Sequence, residues 1–67
     1  MTEKQTKKFV LSIYPEAYVI FSSSGRVAIM RDHGEIYFLS PSCIFESYAW
    51  QEAALLILRK MLEKLES

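Results

Sequence analysis

His33, the only histidine, lies in the stretch Asp32-His33-Gly34-Glu35. An imidazole beside carboxylates is the smallest set that proton transfer or metal binding asks for. Aspartate, glycine and polar side chains also suit a tight reversal on conformational grounds, and a hairpin turn is the better reading here. Cys43 is the only cysteine. Paired with His33 it could serve as a nucleophile with its base, but neither residue has a recognisable orienting group or oxyanion loop near it in sequence. A buried or half-buried structural cysteine is expected instead. One cysteine permits no internal disulfide and no cysteine-based zinc site, and it fits a reducing, cytoplasmic setting. No catalytic residue, metal or cofactor is expected, and the chain does not read as an enzyme.

Ser22-Ser23-Ser24-Gly25-Arg26 has donors enough to hold a phosphate. It lacks the lysine and spacing of a P-loop and leads into a strand rather than a helix, so it reads as a hairpin loop. Arg26 and Arg31 border strands rich in aromatic residues, a combination that can stack single-stranded bases while cations hold phosphates. With Lys7 and Lys8 they make a small nucleic-acid-binding regulator the alternative reading of function. Against it, eight basic and eight acidic side chains cancel, leaving no strong field to gather a polyanion.

These residues must be held by a few short elements. Thr2 followed by Gln5 has capping-box spacing, and Phe9, Val10, Ile13 and Tyr14 share one side of a helix that Pro15 should end. A strand through 9–14 is the competing reading. Tyr18 to Phe21 are β-formers inside an expected strand over 17–22. Ser23-Ser24-Gly25 predicts a turn, 27–31 a second strand, Asp32 to Glu35 another turn with Gly34 suited to positive φ, and 36–40 a third strand stopped by Pro41. Loops this short predict an antiparallel meander. From Ser47 to Leu65, Trp50, Ala54, Ile57, Leu58, Met61 and Leu65 fall within about 100° of one another on a helical wheel, with Leu55 and Leu62 widening the apolar arc to about 160°. Ser47 is the candidate N-cap, although Glu46 would suit a first turn equally well. Trp50, at the head of this stripe, reads as core. The expected architecture is a single α+β domain over 1–67, ordered α-β-β-β-α, with the long C-terminal helix on one sheet face.

Alternation within the strands is poor. Tyr18 and Ile20 oppose Val19 and Phe21, while Ile36 and Phe38 oppose Tyr37 and Leu39, so both sides of the sheet are apolar. A sheet apolar on both sides is normally covered on both. Half of this small chain is hydrophobic, 51% by residue, more than so small an interior can absorb. The second face is therefore expected to meet another copy of the chain or a different protein, with Tyr18, Ile20, Tyr37, Leu55 and Leu62 as interface candidates. Neither a secretory signal nor a membrane-spanning run of apolar residues is recognisable.

Tyr14-Pro15-Glu16-Ala17, short strands, and then Ala49-Trp50-Gln51-Glu52-Ala53-Ala54 opening the last helix resemble a pattern of small bacteriophage and prophage proteins. Where those proteins carry glycine before the last helix, this chain has Leu39-Ser40-Pro41. The resemblance implies a non-enzymatic accessory protein that binds and modulates a host protein, such as a defence complex.

Overall fold

The computed structural model describes residues 2–33 and 35–66, without the side chains of His33, Glu35, Ile36 and Glu66. Helix α1 (Glu3–Ile13) precedes strands β1 (Tyr18–Phe21), β2 (Val27–His33) and β3 (Glu35–Phe38), and helix α2 (Glu46–Glu66) follows. The strands pair antiparallel in the order β1-β2-β3. This is the α-β-β-β-α order expected from the sequence.

The start of α1 is written locally. Thr2 Oγ1 accepts from the Gln5 amide at 3.2 Å while Gln5 Oε1 accepts from the Thr2 amide at 2.9 Å, which satisfies two amides that a helix start leaves orphaned. Residues 9–13 are therefore helix rather than strand. The inward line is Thr6 and Val10, with Phe9, Leu11 and Tyr14 half-buried and Ile13 exposed. Pro15 ends the element, and the Ala17 amide donates to the Tyr14 carbonyl at 3.0 Å to turn the chain into β1.

Between β1 and β2, Gly25 has a φ of +83°, which a side chain would strain. The central strand runs two residues beyond its expected end, because the ladder continues to His33 opposite Glu35. The conformation expected for Gly34 lies outside the described residues. β3 stops at Phe38, two residues early, and Ser40 is turned inward instead of pairing as a strand residue. Its Oγ accepts from the Ile29 amide at 2.8 Å, and Cys43 then exchanges both backbone bonds with Val27 at 2.8 Å. A side chain thus fills the gap where β2 would otherwise lose an acceptor in a buried place.

Register assigns the two faces. Val27, Ile29 and Arg31 share a side with Val19, Phe21 and Tyr37, while Ala28 and Met30 share the other with Tyr18, Ile20 and Phe38. Ile29, Leu39 and the half-buried Val19 join Val10 of α1 and Ala49, Trp50, Ala53, Ala54 and Ile57 of α2 in one core. Helix α2 thus packs over the Ile29 side, and α1 packs against α2 with Val10 reaching the same core.

The core line of α2 ends at Ile57. Leu58, Met61 and Leu65, expected to continue it, are exposed. Leu58 and Leu65 sit at the outer edge of the apolar arc, and beyond Ile57 the reason is also length. The four residues of β1 and β3 span only about 13 Å, whereas the twenty-one residues of α2 rise about 31 Å. Its last turns overhang the sheet. The helix also begins at Glu46, so Ser47 lies in the first turn rather than at the cap.

Candidate functional site

The sheet side opposite the Ile29 core is one of two apolar surfaces left open among the described residues, the other being the outer row of α2. Two positions of β2 form its floor: Ala28 and Met30, the latter only 7% exposed. Tyr18 and Phe38 flank Met30 as its direct cross-strand partners, and Ile20 flanks Ala28. Phe38 itself is 64% exposed and Tyr18 39%. Such cross-strand neighbours lie about 5 Å apart at Cβ, near enough for large side chains to shelter the central strand. An apolar floor is thus kept dry by rim residues that themselves remain wet.

Of the interface candidates, Tyr18 and Ile20 lie together on this face. Tyr37 does not join them. Its register places it with Arg31 on the helix side, where it is 46% exposed. Leu55 and Leu62 are exposed on α2, seven residues apart, and Leu55 lines a groove with Phe38, Leu39 and Pro41 at the end of β3. The sequence-level set therefore divides between the sheet face and the outer row of α2, with Tyr37 belonging to neither.

Arg31 is held from three sides. It makes an ion pair with Glu16 at 2.9 Å, its guanidinium lies 4.0 Å from the Tyr14 ring centroid, and Tyr37 is 5.9 Å away. These contacts join the end of α1, the turn after it and the two strands into one clasp beside Leu39 and Lys60. Arg26, at the opposite end of β2, donates from Nε to Ser42 Oγ at 2.6 Å and from Nη2 to the Ser42 carbonyl at 2.9 Å. Five residues of extended chain separate the two arginines by about 16 Å. Lys7 lies over the Trp50 ring at 5.5 Å, and Lys8 is exposed on α1. The four cations of the nucleic-acid reading are thus not gathered on one strand face, and both arginines already have partners within the chain.

The serine loop is equally occupied. Ser22 Oγ lies 2.8 Å from Ser24 Oγ and accepts from the Arg26 amide at 3.1 Å, while the Gly25 amide donates to the Ser22 carbonyl. Its polar groups close a hairpin. Cys43 is half-buried, with Sγ 3.3 Å from the Pro41 carbonyl, beside the backbone bridge to Val27. The His33 side chain, and with it the proposed pairing to Cys43, lies outside the described residues. Among the described residues no three His, Cys, Asp or Glu side chains cluster as metal ligands would, and no helix is long and apolar enough to cross a membrane.

Trp50 is core, only 2% exposed. Its Nε1 donates to Glu46 Oε2 at 3.3 Å, which gives the one polar atom of the ring a partner in the first turn of its own helix. Sequence reasoning did not single out Ala28, Met30 and Phe38. Their signal was present in the alternation, but only the register shows that they lie beside Tyr18 and Ile20. Comparison of the chain with protein-family models, with curated proteins and with solved structures finds no match.

Proposed function

We propose that this chain is a non-enzymatic protein-interaction module of the kind that small phage and prophage accessory proteins provide. It acts as a homodimer in the cytoplasm and binds a host protein, such as a component of a defence complex, masking the surface it covers. The observation that carries this reading is the sheet side opposite Ile29, where Tyr18, Ile20 and Phe38 stand exposed or half-buried around the apolar floor of Ala28 and Met30. Apolar floors with aromatic rims suit the centre of a protein interface, because aromatic rings bury large area at little entropic cost and a tyrosine keeps a polar tip. The complementary surface is an apolar face on the partner, such as one side of an amphipathic helix.

A photo-crosslinking amino acid placed at Phe38 and, as a control, at Glu3 tests this in cells of the natural host. The expected result is a discrete adduct to one host protein from position 38, lost when Ile20→Asp is added, with none from position 3. Equal adducts from both positions, or none from position 38, would overturn the reading. A nucleic-acid adduct from position 38 would do the same and favour the alternative.

A further inference from the structure

Helix α2 is built inside out. Its inward positions carry the small residues Ala49, Ala53 and Ala54 beside Trp50 and Ile57, whereas Leu55, Leu58, Leu62 and Leu65 are exposed. Tyr48, Gln51, Leu55, Leu58, Leu62 and Leu65 follow one another at spacings of three and four, the repeat of a coiled-coil seam. On a helical wheel the mean direction of this row lies about 140° from that of the core line, with Leu55 also lining a groove beside Phe38 and Leu39. The four leucines are between 38% and 83% exposed.

We infer that this row is the contact between two copies of the chain, packed as an antiparallel pair of α2 helices whose two-fold axis passes between Leu56 and Ile57. Two observations select a second copy, and this register, over other occupants. One is a groove on the row itself, lined by Gln51, Ala54, Leu55, Leu58 and Thr6 of α1. The first four are the corners of a hole of the kind that receives one knob from a facing helix. With the axis at 56–57, the side chain opposite Leu55 is the second copy's Leu58, and it enters this groove. Symmetry seats this copy's Leu58 in the same groove on the second copy, so the interface closes on itself.

The other observation is charge. Glu52 and Arg59 are exposed and flank the row on the side away from Ala54. In this register Glu52 meets the second copy's Arg59, and Arg59 meets its Glu52, giving two reciprocal pairs. Moving the axis out to Lys60, the next register that keeps the leucines facing, sets Arg59 against Arg59. A parallel pair sets Glu52 and Arg59 against Ser47 and Ala54. Only the register that fills the groove also pairs the charges. The seam specifies the homodimer of the proposed function and rests on that part of it, so a monomer removes both, whereas the host-protein contact at the sheet face is a separate surface that stands or fails on its own crosslinking test.

Sedimentation velocity of the full chain over a concentration series tests the seam, with circular dichroism confirming that each variant is folded. The wild type is expected to be a dimer. Glu52→Arg and Arg59→Glu should each weaken it about tenfold or more, because two facing pairs become repulsive at once. The swapped variant E52R/R59E should recover to within about threefold of wild type, since the exchange restores both pairs. Leu62→Glu, at a more exposed position than Leu58, should yield a folded monomer, while Ile20→Glu on the sheet face leaves the dimer intact. A monomeric wild type, a swap that fails to recover, or a dimer lost through Ile20→Glu but kept in Leu62→Glu would each overturn the inference.

Discussion

Two adjacent residues of β2 offer a direct test of the two-sided sheet. Ile29 is 0% exposed and Met30 7%, so burial alone ranks them as near equals. Their surroundings differ. Ile29 lies in the core with Val10 of α1 and with Trp50 and Ile57 of α2, whereas Met30 faces the other side of the sheet with Tyr18 and Phe38 as its cross-strand neighbours. A lysine at position 29 loses the packing of the isoleucine, about 2–5 kcal/mol, and leaves an ammonium with no route to water, which costs several kcal/mol more. A domain of this length has only about 3–10 kcal/mol of stability in total. Ile29→Lys should therefore be unfolded at 25 °C. At position 30 the lysine can lay its methylenes between the two rings and carry its charge out over the open face, so Met30→Lys should lose only about 1–2 kcal/mol and stay folded. Far-UV circular dichroism and the fluorescence of Trp50, the single tryptophan, followed through urea unfolding, report both variants. If Met30→Lys is as unfolded as Ile29→Lys, something covers that face and the reasoning fails.

Ser40→Ala removes the acceptor of the Ile29 amide and should cost about 1–3 kcal/mol for an orphaned buried donor, against within about 0.5 kcal/mol for Ser42→Ala on the exposed Arg26 contact; the two urea midpoints decide it. Gly25→Ala should cost about 1 kcal/mol although no atom lies within 4 Å of the added carbon, because the penalty is in the φ of +83°; a neutral result would mean that the loop relaxes. Arg31→Ala should destabilise by about 1 kcal/mol, part from the Tyr14 ring and part from a half-exposed ion pair that salt screens, and Arg31→Lys should recover only a fraction because it cannot stack as a plane. If raising the salt erases the whole Arg31→Ala effect, the ring contact contributes nothing.

What was legible in the chain is what depends on neighbours in sequence. The Thr2 and Gln5 box, Pro15, the serine-glycine loop and the apolar alternation are local signals, and each marks its element within a residue or two. Relations across the chain were not legible. Alternation assigns Tyr37 a side within β3 but not which side of β1 it matches, so Tyr37 was grouped with Tyr18 although register separates them. The wheel gives the direction of Leu58, Met61 and Leu65 but neither where the buried part of the arc ends nor how far the sheet extends along α2. Ser40 reads as a strand residue because a hydroxyl that replaces a ladder partner leaves no mark on periodicity. Glu16 clasps Arg31 across fifteen positions, a pairing that no spacing encodes.

The inversion of α2 ties these surfaces to the economics of a small fold. Alanine at 49, 53 and 54 lets the helix lie close on a sheet of short strands, and Trp50 fills most of what remains, so the interior is complete without the leucines. Four leucines left 38–83% exposed then give a lone chain only part of the folding energy they could supply. They would also attract unrelated apolar surfaces, a liability that selection normally removes from an exposed helix. Polar residues with good helix propensity at 55, 58, 62 and 65 would preserve α2 and remove that liability. Leucine at all four places, at the spacing that makes a seam and beside charges that pair in one register, is what the proposed dimer would cover. On that basis, replacing all four leucines by glutamine should leave the monomer folded and Trp50 buried, while removing dimerisation; a quadruple variant that unfolds at every concentration would show that the outer row stabilises the monomer itself.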